Sequence, residues 1–95
     1  MKKGYWMVHV TVTDADGYPN YVAANKRAFE KYGARFLVRG GACTGPEGPI
    51  RDRHVVLEFD SYQQALDCYN SEEYREALAL RQQYSDADIV IVEGV

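Results

Sequence analysis

The chain has 95 residues, a formal net charge of −3 and a hydrophobic share of 46%. We expect one domain over residues 1–95, because a single core typically takes about 100–150 residues. The acidic balance argues against non-specific binding to nucleic acid, which requires a basic face. No segment approaches the ~20 apolar residues of a membrane span, and the first residues lack the apolar stretch of a signal peptide. We therefore expect no membrane partner and a cytoplasmic location.

The chain begins with the pattern of a strand followed by a helix. Residues 5–13 alternate between an apolar face and a mixed face, which predicts a β-strand. From residue 18 to residue 32 the apolar side chains recur at spacings of three and four, which predicts an amphipathic helix that ends at Gly33. Asn25 places a polar amide in the middle of this apolar stripe, where a hydrophobic residue is expected.

Two further strands follow, joined by a long loop. Residues 34–41 alternate strong strand formers with Arg35 and Arg39 and end in two glycines, which let the backbone bulge or let another group approach closely. The Gly/Pro-rich residues 42–52 form a connection that is long for a hairpin. Residues 54–59 alternate again and predict the third strand.

A second helical region and a last strand complete the chain. Ser61 and Gln64 predict a capping box at the start of this region. Residues 70–71 interrupt the helical pattern, after which the apolar stripe continues as far as Arg81, again at a position where a hydrophobic residue is expected. Residues 88–95 predict the fourth strand.

The element order βαββαβ predicts an α+β fold of the ferredoxin-like type, with two helices on one face of a four-stranded antiparallel sheet. The side chains expected beneath the helices are Trp6, Val8, Val10, Phe36, Val38, Val55, Leu57, Phe59, Ile89 and Ile91. Those expected on the opposite sheet face are Tyr5, Met7, His9, Leu37, Arg39, His54, Val56, Glu58, Val90 and Val92. Half of the second set is too apolar for a solvated surface, so we predict a homodimer in which two such faces meet and enclose a barrel-like interior.

Stretches spread over nearly the whole chain form a recognisable set. They are Lys3-Gly4-Tyr5-Trp6, Tyr21-Val22-Ala23-Ala24-Asn25, residues 31–41, Val56-Leu57-Glu58-Phe59, Cys68-Tyr69-Asn70-Ser71, Tyr74, Leu80-Arg81 and Val90-Ile91-Val92-Glu93-Gly94. Together they resemble the domain-of-unknown-function family 1330 of the dimeric α/β-barrel superfamily. The resemblance implies a fold shared with small monooxygenases, isomerases and decarboxylases, many of which act without a metal or a bound cofactor. We accordingly expect no cofactor, and the resemblance by itself implies no activity, because function depends on the site.

A first group of candidate site residues lies on the sheet face opposite the helices. Arg39 and Glu58 are expected to face each other on neighbouring strands, either as an anion-binding pair or as an ion pair that sets the register of the dimer. His9 and His54 share that face, where a histidine within reach of Glu58 can act as a general base, or is a hydrogen-bonded interface residue. No closely spaced histidine pair supports a metal site, so none is expected.

A second group consists of polar residues on the apolar helix stripes, namely Asn25, Tyr69, Tyr74 and Arg81. They are candidates to line a pocket between helices and sheet, in which Arg81 selects an acidic ligand. Alternatively, they satisfy backbone carbonyls near the interruption of the second helical region.

Two functions fit these patterns. The first is a cofactor-free homodimer that binds a small polar or anionic molecule in a cleft lined by Arg39, Glu58 and Arg81, and that transforms it if it is an enzyme of the monooxygenase or isomerase type. The second is a dimeric binding or accessory module without turnover. Cys43 and Cys68 are expected to be free thiols, because they lie far apart in a chain without secretion signals.

Overall fold

The computed structural model describes residues 1–95 and has the predicted order of strands and helical regions. The strands are β1 (Gly4–Val12), β2 (Arg35–Arg39), β3 (Arg53–Phe59) and β4 (Ser85–Glu93), and the helices are α1 (Tyr18–Lys31), α2 (Tyr62–Tyr69) and α3 (Glu72–Tyr84). All strand pairs are antiparallel, in the order β2-β3-β1-β4. The ferredoxin-like α+β prediction is therefore confirmed, with three helices packed on the sheet instead of two. None of them is long and apolar enough to cross a membrane.

The second predicted helical region consists of α2 and α3, which meet at the predicted interruption. Ser71 makes the break, because its hydroxyl accepts from the Tyr74 amide at 3.1 Å and donates to the Cys68 carbonyl at 2.7 Å. One small side chain thus caps the start of α3 and satisfies a carbonyl at the end of α2. This arrangement turns the chain without leaving either helix end unsatisfied.

The fourth strand begins at Ser85, earlier than the predicted start at residue 88. The Ser85 hydroxyl donates to the Arg81 carbonyl at 2.6 Å, and the Thr13 and Asp14 amides donate to the Tyr84 carbonyl at 2.9 and 3.1 Å. Because these bonds satisfy the last carbonyls of α3, the helix passes directly into the strand.

Trp6 is the centre of the core beneath the helices and is fully buried. Its ring lies edge-on to Phe29 and Tyr74, with centroid separations of 5.3 and 4.8 Å, and also contacts Phe59 at 5.4 Å. The indole nitrogen donates to the Ala65 carbonyl at 2.9 Å, so its only polar group is satisfied. This aromatic cluster joins β1 to all three helices and fixes the helix layer on the sheet.

A β-bulge in β2 reverses the predicted facing of its second half. Phe36 pairs with Leu57 and Val38 pairs with Val56, which leaves one extra residue between them. A bulge of one residue moves the following side chains to the other face of the sheet. The prediction that Val38 lies beneath the helices and Arg39 on the opposite face is therefore wrong. Val38 is exposed on the opposite face, and Arg39 points to the helix side.

The sheet face opposite the helices, called the open face below, bears the cross-strand neighbours of β1. Its members are Tyr5, Met7, His9, Thr11, Val38, His54, Val56, Glu58, Val90 and Val92. Met7, Val38, Val90 and Val92 remain between 39% and 53% exposed within one chain. A contiguous apolar patch of this kind is typical of a protein–protein interface.

The two cysteines are free, as the sequence predicts, and differ sharply in environment. Cys68 is fully buried, and burial raises the pKa of its thiol to about 12, so only about 1 in 10⁴ of these thiols would be ionised at pH 8. We expect iodoacetamide at pH 8 to alkylate the exposed Cys43 rapidly and to spare Cys68 until denaturant is added. Peptide mass spectrometry of a time course measures both rates. Equal rates in the native protein would show that the α1–α2 contact opens readily.

Candidate anion-binding site

A cleft lies between α1, α3 and the helix side of the sheet. Its walls are apolar and aromatic, with four polar side chains among them: the lining residues are Val8, Val10, Tyr18, Tyr21, Val22, Asn25, Phe29, Phe36, Arg39, Arg53, Val55, Leu57 and Arg81. The cleft has a volume of about 20 Å³, which is room for roughly one water molecule, and it is called the deep end below where it is contrasted with the neighbouring groove. It adjoins a solvent-open groove of about 440 Å³ that shares Val22, Asn25, Phe29, Phe36 and Arg39 with it. The cleft and the groove are therefore neighbours that share five lining residues.

Arg81 is the most deeply placed cation of the cleft. It is only 5% exposed, and its Nη1 donates to the Tyr74 hydroxyl at 3.0 Å. The ion pairs of the chain all involve other cationic residues. A buried guanidinium without a carboxylate partner is costly, because its desolvation is not offset by an opposite charge. Arg81 therefore makes the deep end of the cleft a favourable place for an anion.

Two more arginines face the same cleft without a carboxylate partner. The Arg39 guanidinium lies 4.1 Å above the Phe36 ring at the mouth, and the Arg53 guanidinium lies 5.7 Å from the Tyr18 ring. The buried Nε of Arg53 has no acceptor. No carboxylate lines the deep cleft, so its electrostatic potential is set by three cations. Such a site favours an anion with an apolar body.

Gly40 makes room for Arg53. It has a φ of +67°, in the left-handed region that glycine adopts without strain, and a Cβ at this position would overlap the Arg53 guanidinium. Its amide donates to the His54 carbonyl at 2.9 Å and closes the end of β2. Of the glycine pair that the sequence indicates as a site of bulging or close approach, Gly40 thus serves the placement of a cleft arginine, and Gly41 has open space around it.

Two tyrosines connect Arg81 to the wall formed by α1. The hydroxyls of Tyr21 and Tyr74 lie 2.8 Å apart, and Tyr74 accepts from Arg81. Tyr74 is fully buried, and this burial raises its pKa far above the usual range. Burial also raises the pKa of Tyr18 at the cleft wall. The hydroxyls of Tyr74 and Tyr18 consequently stay protonated.

The structure brings three of the predicted site residues into one place. Asn25, Arg39 and Arg81 all line the cleft, although the sequence pattern divides them between two groups. Tyr74 stands behind Arg81 as its hydrogen-bond acceptor. Tyr69 lies elsewhere, with its ring 5.8 Å from that of Trp6, and is a core residue of the α2 side.

The predicted pair between Arg39 and Glu58 is wrong, because the bulge carries Arg39 to the helix side. Arg35 takes its place opposite Glu58, with Nε donating to the carboxylate at 3.0 Å, and the Tyr5 hydroxyl donates to the same carboxylate at 3.0 Å. The hydrogen bond from Arg35, followed by that from Tyr5, lowers the pKa of Glu58. Glu58 therefore lies on the open face, outside the cleft, in a satisfied ion pair.

His9 and His54 are cross-strand partners on the open face, as the sequence predicts. Their Nδ1 atoms lie 2.8 Å apart, so one ring donates and the other accepts. Glu58 bonds to Tyr5 and Arg35 rather than to either histidine, so the three candidate catalytic residues form no acid–base group within one chain. No cluster of three His, Cys, Asp or Glu side chains has the geometry of a metal site.

Two cleft residues were missed by sequence reasoning, Arg53 and Tyr21. A signal for Arg53 exists, since it continues backwards the period-two alternation of Val55 and Leu57 and so belongs to their face. Tyr21 belongs to the α1 stripe, in which tyrosine is indistinguishable from an ordinary core residue. Only its distance to Tyr74 distinguishes it.

Comparison with known proteins identifies a family and a fold. The sequence profile of "Domain of unknown function (DUF1330)" matches residues 3–95. A protein of unknown function from Rhodopseudomonas palustris is similar in structure, with a TM-score of 0.77 and 18% identity over 99% of this chain and 83% of that one. No curated protein matches the chain.

Two further solved structures share the fold at lower identity. SnoaB, a cofactor-independent oxygenase from Streptomyces nogalater, has a TM-score of 0.64 and 10% identity over 97% of this chain and 92% of that one. A dimeric ferredoxin-like protein of unknown function from Thermobifida fusca has a TM-score of 0.59 and 17% identity, with 97% and 91% of the two chains covered. At these identities the likeness concerns the fold alone.

Proposed function

We propose a function from the geometry of the cleft, because the chain belongs to the DUF1330 family and the function of that family's domain is unknown. The protein binds a small organic anion with its charged group at Arg81 and its apolar body between α1 and β2. The observation that carries this proposal is the burial of Arg81, which is 5% exposed and has no carboxylate partner. Binding an anion there offsets the cost of the desolvated cation.

The two ends of the ligand are expected to contact different spaces, the charged end the cleft and the apolar end the groove. The groove supplies apolar contact from Val22, Phe29 and Phe36. Arg39 stands at the junction, since it lines both the groove and the deep cleft, and is expected to contact the ligand as it enters. Arg53 adds a second positive charge at the deep end without contacting the groove.

Titration calorimetry with benzoate tests the proposal. We expect wild-type protein to bind benzoate and to bind the neutral analogue benzamide at least about tenfold more weakly, because the latter lacks the charge that the arginines favour. Arg27→Met is the matched control, since Arg27 lies on the outer side of α1 in an exposed pair with Glu76. Equal affinities for benzoate and benzamide would contradict the proposal.

The proposal includes a homodimer joined through the open face. The exposed apolar side chains of that face are Met7 on β1, Val38 on β2, and Val90 and Val92 on β4. Burying them removes apolar surface from water in both copies. The dimeric state of the ferredoxin-like protein from Thermobifida fusca supports this assembly. The histidine pair then lies at the interface, which is where we place its role.

A cofactor-free reaction on the bound anion is the second candidate function. The likeness to SnoaB, a cofactor-independent oxygenase, supports it. A binding module without turnover is the alternative, and it is favoured by the deep cleft, whose lining contains no histidine, aspartate or glutamate to act as a general base. Turnover of a bound ligand in the purified protein decides between the two.

A further inference from the structure

We infer that Tyr21 is the side chain that donates to the ligand's negative oxygen, and that the ligand is a phenol or an enolisable carbonyl compound held as its anion. This inference rests on the proposed function and names the chemistry of the head group at the deep end of the cleft. It assigns a role to Tyr21 that an ordinary core tyrosine of α1 does not have.

The direction of the hydrogen bonds places a free proton on Tyr21. Arg81 can only donate, so the Tyr74 oxygen accepts its bond of 3.0 Å. Tyr74 is fully buried and does not line the cleft, so its own proton is satisfied only by the Tyr21 oxygen, 2.8 Å away. The Tyr21 hydroxyl then has its proton left over. Because Tyr21 lines the cleft, this proton is available to a ligand.

Arg81 and Tyr21 both line the cleft and both contact the Tyr74 hydroxyl. Arg81 Nη1 and the Tyr21 hydroxyl lie 3.0 and 2.8 Å from one atom, the Tyr74 oxygen, and both residues line the deep end. The remaining guanidinium N–H groups of Arg81 and the hydroxyl of Tyr21 can therefore donate to one acceptor. Two such donors in a desolvated site form an arrangement that stabilises an oxyanion.

The size of the deep end admits one oxygen of the head group, so a phenolate or enolate places its only charged oxygen there, whereas benzoate can place one of its two. Its volume of about 20 Å³ admits about one water-sized atom, whereas the groove of about 440 Å³ has room for a ring or chain. The oxygen of a phenolate or enolate is one such atom attached to a planar body. The walls nearest to that body are the rings of Phe29 and Phe36.

The charges around the site favour the ionised form of such a ligand over its neutral form. Three cationic side chains face the cleft, namely Arg81 of α3, Arg53 of β3 and Arg39 of β2. Besides Tyr21, the ionisable side chain that α1 contributes to the lining is Tyr18. In the groove, Lys26 and Glu30 form an exposed pair at 3.9 Å and largely offset each other. The O–H bond of the phenol, or of the enol form of the carbonyl compound, breaks with its electron pair left on oxygen, and the proton passes through the open groove to bulk water.

The absorbance of 4-nitrophenol measures this ionisation directly, because the phenolate alone absorbs strongly near 400 nm. We expect the wild-type protein to shift the probe's titration to lower pH and to bind the phenolate at least about tenfold more tightly than the neutral 4-nitroanisole. Tyr21→Phe removes one hydrogen bond to a charged oxygen and should lower phenolate affinity by about ten- to a hundredfold. The same Tyr21→Phe variant should bind neutral 4-nitroanisole with unchanged affinity. Tyr62→Phe, on the exposed side of α2, is the matched control.

Two results separate the possible failures. If benzoate and 4-nitrophenolate bind in an Arg81-dependent way but Tyr21→Phe leaves the probe's titration unchanged, the role of Tyr21 is overturned while the anion site stands. If neither anion binds more tightly than its neutral analogue, the proposed function and this inference fail together. Tyr74→Phe is a second test variant, because it retains the Tyr21 hydroxyl but removes the Tyr74 hydroxyl that connects Tyr21 to Arg81. We expect it to shift the titration of 4-nitrophenol by an amount between those of the wild type and Tyr21→Phe.

Discussion

Replacing Arg81 by methionine is expected to weaken benzoate binding by about a hundredfold and to leave the unliganded fold at least as stable as the wild type. The affinity falls because hydrogen bonds to charged groups contribute about 1.5–3 kcal/mol each, and Arg81 supplies the deepest donors of the cleft. The stability rises because methionine keeps an apolar stem of similar reach and removes a buried cation that has no carboxylate partner.

The expected gain in the free energy of unfolding is about 1–2 kcal/mol, after about 1 kcal/mol is subtracted for the lost hydrogen bond to Tyr74. Urea denaturation without ligand measures it, and calorimetry with benzoate measures the affinity. Arg27→Met should change neither quantity appreciably, since Arg27 is exposed in a long pair at 3.9 Å. A loss of stability greater than about 2 kcal/mol in Arg81→Met would mark Arg81 as a structural residue of the helix layer.

Introducing a carboxylate into the apolar patch of the open face is expected to separate the proposed dimer. Val90 pairs with Met7 across β1 and β4 and is 53% exposed in one chain. Two-fold symmetry places each substitution in the interface twice, and burying an unpaired carboxylate costs several kcal/mol. We therefore expect Val90→Asp to raise the dimer dissociation constant by at least about a thousandfold.

Sedimentation equilibrium over a range of micromolar concentrations measures this dissociation constant. Wild-type protein should have about twice the mass of one chain, and Val90→Asp should have the mass of one, with its far-ultraviolet circular dichroism unchanged. Val95→Asp makes the same exchange at a fully exposed valine beyond β4 and should remain dimeric. A dimeric Val90→Asp protein would move the interface away from the open face.

The proposed anion site and the proposed dimer interface use opposite faces of one sheet, which makes the two predictions independent. Arg81 belongs to the helix side, and Val90 belongs to the open face. Arg81→Met should therefore leave the dimer intact, and Val90→Asp should reduce benzoate affinity only through any loss of stability. Measuring both properties on both variants checks this separation.

The fold was predictable because its signals are local. Residues 5–13 and 54–59 alternate with period two and became β1 and β3, and the stripe that ends at Gly33 became α1. The break at Ser71 was likewise visible, because capping residues act within a few positions of the helix ends that they satisfy. These features depend on backbone geometry over a handful of residues.

The candidate site was predictable only in part, and β2 shows why. Its alternation from residue 34 to residue 41 gives no sign of where an extra residue will be accommodated, because a bulge depends on how an edge strand pairs with its neighbour. The strand register placed Arg35 opposite Glu58 ahead of the bulge, and the bulge then turned Arg39 towards the helices.

By itself, the sequence determined the order of the elements, most residues of the core and the presence of two unusual polar residues, Asn25 and Arg81, on helix stripes. Periodicity specifies these because each element buries one face. Only the tertiary structure decided that Arg39, Arg53 and Arg81 would share one cleft and that Tyr74 would join Arg81 to Tyr21. These residues come from four separate elements, and their convergence follows from strand register and helix packing, which no local pattern encodes.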